Sequence, residues 1–384
     1  MYFLAHKSAR KSLSMSEFNA VAAIRELVAK DQVKLAIARL QRGLDRRDAA
    51  LLSSAFHDDA AVDYSFFDGS AADFCAMMTG GPDRPAHQVT MHRPTNLWIR
   101  VSGDAAISES YIIAYSPSGE GADAVQSLIG GRYLDRHECR NGEWRLTHRT
   151  YVLDWNINQP GTGTALATFA QPVLRGGWRN DDAGVRQLAA WGAGEQAISE
   201  QGGNVEISST LAAQAEAAFA RSEIHDRIVA LSRAMDRGDE ALLRSLWHPG
   251  AEVDLSGYYS GSAEGFCAFM LETLDGLVRV AHTVANEWIN VDGDAAVAET
   301  YAISISTTST DQGDQDILVG GRYLDRLERI DGLWKFTHRT FVHDWQIEQP
   351  ATDQRDDPDG MYAALTRRGT RYPDDPVYAF WDSL

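Results

Sequence analysis

Apolar and polar positions follow two rhythms along this chain, and the sequence of rhythms occurs twice. Between residues 125 and 160 two long β-prone runs flank Asn141-Gly142, and between 315 and 350 two more flank Asp331-Gly332. Asn-Gly and Asp-Gly in that setting predict two-residue hairpin turns. Upstream, Ile24, Leu27, Val33, Ile37 and Leu40 recur at helical spacing within Phe18 to Leu44, behind Ser14 and Glu17 at capping-box spacing. A short helix over Ala49 to Phe56, a strand over Ala61 to Phe67 and a third helix from Ser70 to Met78 follow. Gly80 to Pro85 reads as a loop. Strands over Val89 to Val101 and Ala105 to Tyr115 share the tight turn Ser102-Gly103-Asp104. The order is helix, helix, strand, helix and a four-strand meander. It predicts an α+β fold with helices on one face of an antiparallel sheet.

The repeat extends to individual residues. Ile129-Gly130-Gly131-Arg132-Tyr133-Leu134-Asp135-Arg136 returns as Val319-Gly320-Gly321-Arg322-Tyr323-Leu324-Asp325-Arg326, 190 positions on. Leu44-Asp45-Arg46-Arg47-Asp48 answers Met235-Asp236-Arg237-Gly238-Asp239, and Met91-His92 answers Ala281-His282. A unit of this length is a whole domain rather than a solenoid turn. The expected division is a leader (1–14), a first domain (15–160), a linker or draped embellishment (161–208), a second domain (209–350) and a tail (351–384). Tyr372, Tyr378, Phe380 and Trp381 in the tail predict docking.

Composition narrows the partners. With 54 acidic against 36 basic side chains the net charge is −18. That balance disfavours nucleic acid and anionic membranes, whose phosphates need clustered Lys and Arg. No apolar run reaches the ~18 residues that span a bilayer. The basic N-terminus lacks the apolar core of a signal peptide. Three cysteines, Cys75, Cys139 and Cys267, fit buried packing in a reducing cytoplasm. No HExxH, paired CxxC or P-loop occurs. Gly192-x-Gly194-x-x-Ala197 has no strand before it and reads as linker, and His87 has no counterpart in the second repeat.

The combination Leu/Met-Asp-Arg-x-Asp, Phe/Trp-His, a His four residues before Asn, and Gly-Arg-Tyr-Leu-Asp-Arg…Trp-x-x-x-His-Arg resembles the SnoaL-like branch of the nuclear transport factor 2-like superfamily. The resemblance covers about 125 residues of each repeat. It implies two cone-shaped curved sheets wrapped around helices, each with an apolar cavity open at one end. Cofactor-free dehydratases and dehydrochlorinases of that group pair an Asp at the end of the first helix with a His on the first meander strand. Those positions are Asp45 and His92 here, and Asp236 and His282. An Arg on the last strand corresponds to Arg149 and Arg339. The dehydrochlorinase Lys, five positions before the Asp, is replaced by Leu40 and Leu231, which speaks against halide elimination.

The chemistry is coherent on its own terms. A neutral imidazole is a competent base near pH 7. A carboxylate on its other nitrogen fixes the tautomer and stabilises the imidazolium. An Arg steadies a developing enolate or departing oxygen. Tyr64, Tyr258 and Tyr259 are candidate proton donors, with Tyr133 and Tyr323 behind them, and Trp98 and Trp288 are candidate pocket walls. His148 and His338 alternate with the neighbouring Arg, so one of each pair faces inward; Arg is the expected inward residue. Against this stands the plain role of Asp in a helix-ending turn. The resulting expectation is a lyase, without metal, nicotinamide or flavin, that eliminates water from an aromatic or alicyclic hydroxylated molecule. Retro-aldol cleavage, isomerisation and non-catalytic ligand binding are the alternatives. The two domains are expected to pair within the chain back to back about a pseudo-twofold axis, with further self-association open.

Overall fold

The computed structural model describes residues 19–80, 90–119, 123–161, 178–190 and 209–384. The leader, the loop carrying His87 and the glycine motif at 192–197 fall outside them.

Each repeat builds one sheet. The first repeat runs α1 (Ala20–Arg46), α2 (Ala49–Ser54), β1 (Phe56–Asp63), β2 (Asp68–Ser70), α3 (Ala71–Thr79), β3 (Met91–Ser102), β4 (Ala105–Ser118), β5 (Val125–Arg140) and β6 (Glu143–Pro160). After α4 (Ala183–Ala190) the second repeat follows as α5 (Ser209–Arg237), α6 (Glu240–Ser245), β7 (Trp247–Asp254), β8 (Ser260–Ser262), α7 (Ala263–Asp275), β9 (Leu277–Asp292), β10 (Ala295–Thr310), β11 (Gly313–Ile330) and β12 (Leu333–Pro350), with α8 (Pro376–Trp381) in the tail. The strand orders are identical, β2-β1-β6-β5-β4-β3 and β8-β7-β12-β11-β10-β9.

The α+β fold and its duplication are as expected, and several particulars differ. The sheets are mixed, because β1 lies parallel to β6 and β7 parallel to β12. The first strand begins at Phe56 and ends at Asp63. The chain then turns back into the three-residue β2, which is too short to show a rhythm in sequence. α1 is capped by the Asn19 side chain, which accepts from the Ala22 amide, so the Ser14–Glu17 box is not its start. Asn141 and Gly142 both adopt positive φ, as do Asp331 and Gly332, which closes the two hairpins as read.

Alternation assigns the faces. On β4, Ala106, Ser108, Ser110, Ile112 and Ala114 point to the helix side, while Ile107, Glu109, Tyr111 and Ile113 point outward. Ala106 packs with Val33 and Ile37 of α1, and Ile112 with Leu40 and Leu44. One apolar face of α1 therefore fills the concave side.

The repeats meet asymmetrically. Lys30 of α1 bonds Asp226 and Ser222 of α5. Asn96 of β3 is buried and grips β9, donating to the His282 carbonyl and accepting from the Val284 amide. Its counterpart Asn286 is exposed. The outer faces touch at one end, where Ile113, Trp155 and Ile157 pack with Ala281, Ile305 and Leu318. Further along, α5 and the tail cover the outer face of the first sheet. Arg233 pairs with Glu109 and sits over the Trp98 ring, Trp381 packs tilted against Trp98, and Asp375 takes a two-pronged bond from Arg132. The strand of Arg132 thus joins the interface as expected. That of Arg322 joins it as well, through Leu318, while Arg322 itself pairs within its own repeat with Glu299 and Asp344. The expected twofold packing is replaced by a lopsided one.

His225 is one of the rivets. Nδ1 meets Glu287 at 2.6 Å and Nε2 meets the Leu97 carbonyl at 2.7 Å. Both contacts are satisfied when both nitrogens donate, which favours imidazolium. Burial opposes the charge, but the Glu287 bond and charge outweigh it, so the pKa is raised. The sign follows from linkage: the stabilisation is complete below the unfolded value near 6.5 and is lost as pH rises through the raised folded value. Unfolding midpoints are expected to fall over that window, and His225→Gln to flatten the fall. A variant with an unchanged pH profile would contradict this.

Candidate functional site

The sequence puts Asp45 in the last turn of α1 and His92 at the start of β3, and the fold joins them. Asp45 Oδ1 lies 2.7 Å from His92 Nδ1, and both carboxylate oxygens accept the His92 amide, at 3.1 and 2.9 Å. The second repeat reproduces the arrangement: Asp236 Oδ1 is 2.6 Å from His282 Nδ1, with the His282 amide at 3.0 and 3.1 Å. An ionised carboxylate only accepts, so Nδ1 carries the proton and Nε2 keeps its lone pair. Each Asp thus fixes position and tautomer together. Both histidines are only partly buried, while Asp236 is fully so.

Arg149 and Arg339 do point to the helix side, and His148 and His338 to the outer face. They do not meet the histidines. Arg149 forms a two-pronged ion pair with Asp135 at 2.8 and 2.7 Å, and Arg339 does the same with Asp325 at 2.7 and 2.7 Å. In register, His92 lies across from Ala114 and Asp135 across from Ser108. That separation is up to roughly 20 Å of strand. Between the two levels stand tyrosines. The Arg149 guanidinium lies 3.8 Å from the Tyr133 ring centre, and that of Arg339 4.1 Å from Tyr323. The arginines form the floor beneath the tyrosines. Burial pushes the Tyr323 hydroxyl up to about 12, partly offset by Arg339. Burial raises Tyr64, Tyr133 and Tyr151 as well, so all of them keep their protons at neutral pH.

Tyr64 stacks on Phe74 and Tyr151 at 5.0 and 5.2 Å, beside Tyr133 at 5.9 Å. Tyr258 and Tyr259 stand apart from this group: Tyr258 is exposed and contacts Gln346, and Tyr259 packs on Phe266 and Phe269. Trp98 and Trp288 are on the outer face, one covered by Trp381 and the other open to solvent, so neither lines a wall beside its histidine.

Four groups complete the first site, and two of them sequence reasoning missed. Gln41 is buried one turn before Asp45, on the same side of α1, and neither atom of its amide has a hydrogen-bond partner. The Ser110 hydroxyl is likewise buried and unpaired on the concave side, and the buried Tyr64 hydroxyl lies within reach of Arg149 and Tyr133. Leaving such a group unsatisfied costs ~1–3 kcal/mol, and a cluster of them marks a place for a polar guest. Spacing of four from Asp45 was the available signal for Gln41. The second repeat is plainer: Ser232 stands for Gln41 and is satisfied by the Ile228 carbonyl, Leu255 stands for Tyr64 and Phe341 for Tyr151. The tail also distinguishes them. Residues 367–369 pair with Leu153 on the free edge of β6, and Tyr362 is buried against Tyr151 and Leu153. The corresponding end of β12 is exposed. Among the described residues, no three His, Cys, Asp or Glu side chains are arranged to hold a metal ion.

The SnoaL-like domain family matches this chain twice, over residues 25–150 and 216–340, which span the helix-ending Asp, the strand His and the last-strand Arg of each repeat. The chain belongs to that family. Among solved structures, a hexachlorocyclohexane dehydrochlorinase LinA-type3 from Novosphingobium barchaimii is 22% identical. It covers 34% of this chain and 90% of its own length, with a TM-score of 0.31. A putative scytalone dehydratase from Novosphingobium aromaticivorans is 17% identical over 35% of this chain and 90% of its own, with a TM-score of 0.31. Each of these similarities spans about one of the two SnoaL-like domains. No curated protein sequence matches the chain. No helix among the described residues is long and apolar enough to cross a membrane.

Proposed function

We propose that the chain is a lyase that eliminates water from a small hydroxylated carbocycle, and that the first repeat carries most of the turnover. The Asp45–His92 pair with its free Nε2 carries the reading. Nε2 takes the proton from the carbon next to a carbonyl, the electron pair forms the C=C bond, and the C–O bond on the neighbouring carbon breaks. The leaving hydroxide takes the Tyr64 proton and departs as water, and the imidazolium returns a proton to the phenolate. Tyr64 suits this because burial keeps it protonated until a strong base forms beside it. Gln41 and Ser110 supply the polar contacts that a hydroxylated ring needs, and Arg149 steadies the tyrosines from below. No step calls for a metal, nicotinamide or flavin. The tail over β6 shields the first site, which strengthens its electrostatics.

A direct assay follows proton abstraction apart from elimination. Incubated in D₂O with cyclic β-hydroxyketones, the chain is expected to wash deuterium into the carbon next to the carbonyl and release the enone. Gln41→Leu is expected to raise KM ~10-fold or more with a smaller change in kcat, as for a lost binding contact. Tight binding of such ketones with no exchange and no enone would sink the enzymatic reading in favour of a ligand-binding protein.

A further inference from the structure

The outer face of the first sheet is covered by α5 and the tail, whereas much of the same face of the second sheet is open. Trp98, Ile107, Tyr111 and Leu134 are 9, 1, 4 and 2% exposed, whereas their counterparts Trp288, Val297, Tyr301 and Leu324 are 76, 52, 48 and 39% exposed. Register makes these four one surface: Trp288 lies across from Glu299 and Glu299 from Leu324, with Val297 and Tyr301 flanking Glu299 on β10. The duplication kept large apolar residues at all four positions although water faces them, together with Glu299 and Arg322 for Glu109 and Arg132. A contiguous apolar patch of this kind, rimmed by charge, is a mark of an interaction surface.

We infer that this face of β9, β10 and β11 binds the same face of a second copy of the chain, giving a back-to-back dimer. Two observations select a second copy as the occupant. The patch runs without a break into an interface already made, since Ile305 and Leu318, further along β10 and β11, pack against the outer face of the first sheet. Outer face on outer face is therefore a contact these sheets make. The patch also carries both signs, with Glu299 and Asp344 beside Arg322 and Arg326, so a twofold axis can set acid against base across it. Trp345, lying flat on Gly320 as Trp155 lies on Gly130, is half open where Trp155 is buried by the other repeat, and it extends the patch toward that interface.

Sedimentation of the full chain between roughly 1 and 100 µM tests this. The wild type is expected at twice the 42.3 kDa chain mass. Trp288→Glu and, separately, Val297→Glu are each expected to weaken the dimer ~100-fold or more, because a buried central aromatic or branched residue becomes a desolvated charge. Neither side chain is buried within the chain, so circular dichroism should show each variant folded. Val28→Glu, on the open side of α1, is the control and is expected to leave the dimer intact. A monomeric wild type, or a dimer that survives both sheet variants, would overturn the inference. Dissociation by Val28→Glu as well would replace it with a head-to-tail assembly of α1 on the sheet.

Discussion

Alanine at His92 is expected to cut turnover ~10²–10⁴-fold, the usual cost of a lost general base. Alanine at His282 is expected to cut it less than about twofold, and the double variant to match His92→Ala. The asymmetry rests on the surroundings rather than on the pairs, whose hydrogen bonds are nearly equal. Around Asp45–His92 stand Gln41 and Ser110, buried and unpaired, with the buried Tyr64 hydroxyl beside them, and the tail closes over β6. Around Asp236–His282 a satisfied Ser232 replaces Gln41 and Leu255 replaces Tyr64, while Thr300 keeps a buried, unpaired hydroxyl in the place of Ser110. The histidines are partly exposed and a smaller side chain leaves each Asp its backbone partner's neighbourhood, so folding should survive; circular dichroism checks that. Equal halving by the two single variants would mean two equivalent sites. A fully active double variant would end the assignment of His as base.

Removing the Asp325 carboxylate is expected to destabilise the fold by ~3–5 kcal/mol, the usual result of stranding a buried charge. Arg339 is almost wholly buried, and Nε and Nη2 both donate to Asp325. Besides Asp325 the guanidinium meets the Tyr323 ring, which contributes only a face. Asp325→Ala is therefore predicted to lower the urea midpoint far more than Thr337→Ala on the exposed side of β12. A loss under ~1 kcal/mol would show that Arg339 finds another partner, and would reopen it as a direct participant in chemistry. The same reasoning applies to Asp135 and Arg149.

Both predictions turn on how much of the site was legible in the residues. The Asp–His pairs were, through the resemblance to SnoaL-like enzymes that pair a helix-ending Asp with a first-strand His; recurrence alone would not have joined them, because a duplication copies structural residues too. The hairpins were, because Asn-Gly and Asp-Gly admit the positive φ that those turns need. The direction of the arginines was as well, since alternation leaves only two choices. Their distance from the histidines was not: it depends on strand register, and bulges at Gly130/Gly131 and Arg136/His137 reset it. Gln41 reads in sequence as one polar residue on a helix, and only the packing of α1 into the cone shows it buried. Trp98 and Trp288 carry the same letters at the same offset. Nothing local says that one is roofed by Trp381 and the other left to water, because the roof comes from more than 280 residues away.

That roof has a consequence for how the protein is made. A ribosome delivers the first repeat early, and domains generally fold as they emerge. Here the first repeat cannot finish on delivery. The buried Arg132 waits for Asp375, whose carboxyl that pairing holds near pKa 2, and β6 waits for Arg367 to Gly369 to complete its edge. Residues 367 to 375 thus decide whether the first domain is complete. A chain halted just before them would carry both repeats with the earlier one unfinished, so this segment seals the first domain only after the second has been made.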